Sequence, residues 1–308
     1  MSPAPTAGLP GMTEPQTHTL ETRGAVLAYD VRPGSSAAPP LLLIGSPMGA
    51  AGFGTLAAHF RDRTVVTYDP RGVERSRRTD GATETTPEEH AEDLSRLITT
   101  LDAGPVDVFA SSGGAVNALV LVAHHPEQVR ILVAHEPPAL QLLPDREPAL
   151  AATRHIRETY QARGFGAGMT EFIRIVGHRG PVPEGFGDQP VPDPAVFGLP
   201  AEDDGSRDDA LLRHNLITCT HHQHDIEALR NASTRIVVAV GAGSEGELAH
   251  RCGEAFAERL GTAPVVFPGN HGGFLGGEYG QTGEPEAFAA KLREVMATAD
   301  QDALPARG

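Results

Sequence analysis

The chain has no tryptophan, only two cysteines and, among its 25 basic residues, a single lysine, Lys291. Cys219 and Cys252 are far apart and lack the paired spacing of metal ligands, which argues against a disulfide framework or a zinc ribbon. No apolar run approaches the roughly 20 residues that span a bilayer. Residues 1–17 lack the basic-then-apolar order of a secretory signal, so the cytoplasm is the expected compartment. Positive charge is scarce overall, with a formal net charge of -15 at pH 7. Such a field repels phosphate backbones and acidic lipid headgroups, so nucleic acid and membranes are poor partners and a small uncharged substrate suits the chain better. A homo-oligomer is compatible with this composition.

What is present is the patterning of a globular α/β protein. With 308 residues the chain can bury one large core, and the expectation is one catalytic domain carrying an insertion. Short apolar runs at 26–31, 41–44, 64–68, 106–110, 131–134, 236–240 and 265–267 alternate with helical patterns. That alternation predicts a mostly parallel central sheet with helices on both faces. One helix start is explicit: Thr86 can cap, Pro87 fits the first position and Glu89 completes a capping box, for a helix running to about Leu101. The rhythm breaks over 137–233, which offers helical segments at 150–163 and 209–232 around a Pro/Gly-rich centre and no strand. We read it as a helical cap inserted into a core made of 18–136 and 234–298, with loose ends at 1–17 and 299–308.

The run at 106–110 leads directly into Ser111, Ser112, Gly113 and Gly114, and an apolar helical pattern follows over 115–124. Strand, sharp turn and helix make a nucleophile elbow, which needs small residues two before and two after the nucleophile because the turn presses those backbones against their neighbours. For Ser112 these are Ala110 and Gly114; for Ser111 one of them is Phe109, so Ser111 is rejected. The helix N-terminus behind Ser112 favours the negative charge that develops in acyl transfer. The same residues would also make a plain strand-to-helix turn, so the rest of the chain has to decide. Late in the chain, His271 stands in the loop Pro268-Gly269-Asn270-His271-Gly272-Gly273. Of 14 histidines it best fits a general base, because it follows the nucleophile and its glycines let the loop fold close to the elbow.

On these motifs the sequence resembles the α/β-hydrolase fold family, over about residues 25–297. Leu41-Leu42-Leu43-Ile44-Gly45-Ser46-Pro47 is similar to the strand and loop that supply the oxyanion hole, with Ile44 where the family often has histidine. Tyr68-Asp69-Pro70-Arg71-Gly72, with Ser76 after it, resembles the next family loop, and His125-Pro126-Glu127-Gln128-Val129 the end of the helix behind the nucleophile. The resemblance implies an oxyanion hole made by the backbone N–H groups of Ser46 and Gly113; Pro47 has none to offer. It also implies a triad acid. The commonest site follows the run 236–240, but that loop reads Gly241-Ala242-Gly243-Ser244-Glu245-Gly246-Glu247, with Ser244 where an aspartate is usual. Other members take the acid from just after the preceding strand, here Glu136, which is our first choice over Glu245 and Glu247. The bland reading of Glu136 is a salt bridge beneath the cap.

Two patterns compete with this reading. Gly241, Gly243 and Gly246 match a dinucleotide fingerprint, but the end of the next strand lacks the acid that would hold a ribose, so a tight turn explains them. His221 and His224 have the spacing of two metal ligands on one helical face but no third. The expectation is therefore hydrolysis of a small-molecule carboxylic ester or lactone through an acyl-enzyme, with no metal and no cofactor. C–C bond hydrolysis, acyl transfer, and ligand binding or signalling with little turnover are the alternatives. The resemblance implies that branches opening epoxides or removing halide, which use an aspartate at the elbow, do not apply.

Overall fold

The computed structural model describes residues 14–302. Nine strands form one sheet: β1 (Gln16–Thr22), β2 (Ala25–Arg32), β3 (Leu41–Ile44), β4 (Val65–Tyr68), β5 (Arg77–Arg78), β6 (Val106–Ser111), β7 (Val129–His135), β8 (Arg235–Gly241) and β9 (Val265–Phe267). The helices are α1 (Gly54–Ala58), α2 (Pro87–Leu101), α3 (Gly113–His124), α4 (Arg146–Val176), α5 (Leu216–Thr220), α6 (Ile226–Asn231), α7 (Leu248–Leu260) and α8 (Pro285–Asp302). Among the described residues no helix is long and apolar enough to cross a membrane.

All seven apolar runs become strands, and the central ones, β3, β4, β6 and β7, bury side chains on both faces of the sheet. Leu42, Ile44, Val108 and Ala110 pack into one layer, while the alternate residues Leu41, Leu43 and Phe109 pack into the other. β1 and β5 carry no such signal. β1 is largely exposed and polar, and is held by antiparallel pairing with β2 from Gln16↔Val31 to Thr22↔Ala25. Gln16 and Thr17, expected in a loose segment, therefore belong to a strand; residues 1–13 of that segment lie outside the described residues. At the other end α8 continues to Asp302, so 299–302 are helical, and 303–308 lie outside the description.

The strand order is β1-β2-β4-β3-β6-β7-β8-β9, with β5 paired to β2. From β3 the chain steps to β4 on one side and then crosses to β6 on the other, and such a reversal opens a crevice beyond the C-terminal ends of the two central strands. The parallel register Ile44↔Ala110, Ala110↔Ala134, His135↔Ala239 and Gly241↔Phe267 brings the ends of β3, β6, β7, β8 and β9 level. The loops that leave these ends therefore converge.

The capping box forms as expected: Thr86 Oγ1 accepts from the Glu89 N–H at 3.2 Å and Glu89 Oε2 from the Thr86 N–H at 2.9 Å. Between β7 and β8 the regular elements are helices. α4 bends at Gly164, whose φ of 84° suits glycine. The helix expected over 209–232 is interrupted: a π-helical turn at Ala210–Asn215 leads into α5, and the chain leaves the helix before Asp225 caps α6 by accepting from the Ala228 N–H. Leu150, Ile156, Tyr160, Leu212 and Leu216 form a small core there that also takes in Leu248 and Cys252 of α7.

Candidate active site

At the end of β6 the chain turns sharply at Ser112, whose φ of 55° and ψ of -127° are strained for a residue with a side chain. The turn is fixed from both sides. The Ser112 N–H donates to the His135 carbonyl at 2.9 Å, and the Ser112 carbonyl accepts from the Ala115 N–H at 2.9 Å. Gly114 is packed so closely on β3 that a Cβ there would lie 2.6 Å from the Ile44 oxygen, and a Cβ on Gly113 would lie 2.6 Å from the Ser46 oxygen. The small residues of the motif are thus required by backbone approach. Ser112 is half-buried at the head of α3, in the crevice between β3 and β6.

His135 and Glu136, at the end of the neighbouring strand, gather the other groups. Glu136 has a left-handed φ of 47° and is fully buried. Its Oε2 lies 2.5 Å from His271 Nδ1, while Oε1 accepts from the Gly241 N–H at 2.8 Å and from the Ser244 hydroxyl. Burial works against its charge, yet the His250 and His271 rings outweigh it and hold the carboxyl far below the usual carboxylate range. His250 stands 3.7 Å from Oε1, too far for a hydrogen bond, and donates from Nδ1 to the Gly241 carbonyl at 3.0 Å. The nearby Glu136 carboxylate raises the His250 pKa. The His271 ring stacks on His135 with centroids 5.9 Å apart. His135 is itself caged by Phe109, Phe267, Phe274 and Phe288, and burial pulls its pKa down to about 4.

The structure therefore brings Glu136 to His271, and places the alternatives elsewhere. Glu247 pairs with Arg179 at 3.1 Å, and Glu245 is exposed. Ser112 and His271 both touch the His135–Glu136 corner but are not hydrogen-bonded to each other. Ser46 and Gly113 lie against one another, and among the described residues neither N–H donates to another protein group. Cys219, from α5, reaches over the same spot, with Sγ 3.3 Å from where a Cβ on Gly113 would be. The histidines of the 221–224 stretch do not share a ligand position: His221 Nε2 bonds Thr153 Oγ1 at 2.8 Å, whereas His224 packs on Phe256. Among the described residues no group of three His, Cys, Asp or Glu side chains could hold a metal ion. Sequence reasoning missed Ser244, His135 and His250, since no local pattern marks a residue whose partner comes from another strand.

Comparison with known proteins bears on the family and the fold. The sequence profile of the alpha/beta hydrolase fold matches residues 40–170. An uncharacterized hydrolase, YraK, from Bacillus subtilis (strain 168) is 32% identical over 262 residues, covering 83% of this chain and 89% of the relative. The chain belongs to the α/β-hydrolase fold family. Solved structures of that fold superpose over nearly the whole α/β-hydrolase chain. A thermophilic esterase from Thermogutta terrifontis, with malate bound, matches with a TM-score of 0.64 at 19% identity, over 92% of this chain and 99% of its own. Proline iminopeptidase from Mycobacterium smegmatis matches with a TM-score of 0.61 at 19% identity, over 94% and 100%. At such identities these likenesses speak for the fold alone, and the chemistry has to be argued from this α/β-hydrolase's own residues.

Proposed function

We propose that the protein is a serine hydrolase that cleaves a small, uncharged carboxylic ester or lactone without a cofactor. The observation that carries this reading is the Glu136–His271 contact at 2.5 Å beside a serine held in a strained turn. Glu136 accepts the Nδ1–H of His271, which leaves Nε2 as the basic nitrogen on the opposite side of the ring. Nε2 takes the Ser112 proton as Oγ attacks the carbonyl carbon, and the imidazolium so formed is stabilised by the buried carboxylate. The Ser46 and Gly113 N–H groups receive the developing oxyanion. His271 then protonates the leaving alkoxide, and a water deprotonated by the same ring hydrolyses the acyl-enzyme and frees Ser112.

In this reading 137–233 is a cap, and Cys219 brings part of it over the oxyanion hole. The names of the compared proteins fit: one is a hydrolase and another an esterase. The Ser112–His271 hydrogen bond, absent in the free protein, would form as substrate displaces the serine toward the ring. A fluorophosphonate probe tests the proposal directly. It should label the intact protein at Ser112 and leave folded Ser112→Ala unlabelled, with turnover of aryl esters or lactones lost in parallel. A folded wild-type protein that neither labels nor turns over any ester or lactone in a size-graded panel would instead be a ligand-binding member of the fold.

A further inference from the structure

We infer that Ser244 is a positioning residue for the triad's acid, an assignment that rests on the serine-hydrolase reading above. A carboxylate has four lone-pair directions, and an unsecured one can turn about its terminal torsion and offer either oxygen to its histidine. Glu136 is denied that freedom. Oε1 is occupied by the Gly241 N–H at 2.8 Å and by the Ser244 hydroxyl, leaving Oε2 alone to face His271. Ser244 is completely buried, and its hydroxyl stays between the Glu136 carboxylate and the Gly241 carbonyl, 3.1 Å away. The loop that carries it is anchored independently: the Gly243 N–H donates to the Gly269 carbonyl at 2.7 Å, and Arg179 donates to the Gly243 carbonyl at 3.1 Å. The same loop is thus tied to the segment that carries His271 and to the helical region between β7 and β8. Ser244 fixes the angle from which Glu136 meets the ring.

The charged and titratable groups around this carboxylate come from every element packed on it. His271 faces it from the loop after β9, His250 from α7 at 3.7 Å, and His135 precedes it on β7; Glu254 lies 3.6 Å behind His250. A hydroxyl donating to Oε1 draws electron density from the carboxylate and moderates how strongly it stabilises the imidazolium. Removing that donor has two effects of different kinds. The carboxylate loses its fixed angle, and its undiluted charge holds the imidazolium more strongly.

The test compares kcat, KM and the pH profile of kcat/KM in the wild type, Ser244→Ala and Ser244→Thr, using an ester the wild type turns over, with fluorophosphonate labelling of Ser112 and a melting curve on each protein. Ser244→Ala should lower kcat roughly ten- to a hundredfold with KM little changed. The acid limb, which reports protonation of the base, should move to higher pH by about half a unit or more. Ser244→Thr, which keeps the hydroxyl, should restore both. Should the alanine or threonine variant fail to fold, Ser244→Cys, close in size but a weaker donor, should show the same changes in smaller measure. An active, labelled Ser244→Ala enzyme with unchanged kcat and an unmoved acid limb overturns the assignment, as does a fall in kcat and melting temperature without any shift of the limb. Loss of Ser112 labelling in the wild type would sink the serine-hydrolase reading instead, so the two failures are distinct.

Discussion

Glu136 Oε2 lies 2.5 Å from His271 Nδ1, although the two residues come from loops after different strands and stand 135 positions apart. Glu136 is fully buried, with its other oxygen already satisfied, so its charge is directed at one ring nitrogen. Glu247, by contrast, is committed to Arg179 at 3.1 Å.

Replacing the acid should therefore separate the candidates. Glu136→Gln should lower kcat on the order of 10⁴-fold, because the amide cannot hold the productive tautomer or stabilise the imidazolium. Glu245→Gln and Glu247→Gln should stay within a few-fold of the wild type. Steady-state kinetics on one ester decides the matter, and a large loss in either of the latter two with an active Glu136→Gln would move the acid to the loop after β8.

The turn at Ser112 predicts an inverted stability order. Alanine normally stabilises a chain relative to glycine, but φ of 55° with ψ of -127° strains any side chain by about 1–3 kcal/mol. Ser112→Gly should therefore unfold at higher denaturant than Ser112→Ala, by roughly 1 kcal/mol, with both inactive. The usual order, alanine above glycine, would show that the turn is unstrained.

Acidification should destabilise the protein through His135. Its folded pKa is about 4 because the ring is buried, whereas the unfolded ring titrates near 6.5. Between those values the unfolded chain binds the extra proton, so stability falls as pH falls, by up to about 1.4 kcal/mol per unit. His250 has the opposite sign, since its raised pKa gives stability that is full below 6.5 and is lost only as pH rises through the folded value. Its loss lies outside the His135 window. Urea unfolding at pH 6.5 and pH 5 should show a smaller drop in His135→Gln than in the wild type; an equal drop counts against the assignment.

Cys219 should limit the size of substrate. Its Sγ lies 3.3 Å from where a Cβ on Gly113 would be, and burial raises the thiol pKa to about 12, which makes it a packing group rather than a reactive thiolate. Cys219→Phe should reduce kcat/KM at least about tenfold for a bulky acyl ester and less for an acetyl ester, while fluorophosphonate labelling persists. Equal losses for all ester sizes would place Cys219 outside the acyl pocket.

Much of this protein was legible in one dimension. Seven strands announced themselves as apolar runs, most clearly the central ones, because a strand buried on both faces of a parallel sheet must be largely apolar. The elbow was legible for a similar reason: Gly114 must be small wherever its backbone meets the Ile44 oxygen, and that demand is local enough to leave a motif. Ser112 and His271 followed from such signals, and Glu136 was the preferred acid over Glu245 and Glu247. What the tertiary structure decided was pairing. β1, exposed and polar, is a strand only because β2 offers it an edge, and Ser244, in sequence the blank where an acid was expected, donates to a carboxylate that only the β7–β8 register brings within reach. Hydrogen bonds between strands are chosen by proximity rather than by side-chain pattern, so the sequence named the candidate residues, and the packing of the sheet placed the Glu136 carboxylate against His271.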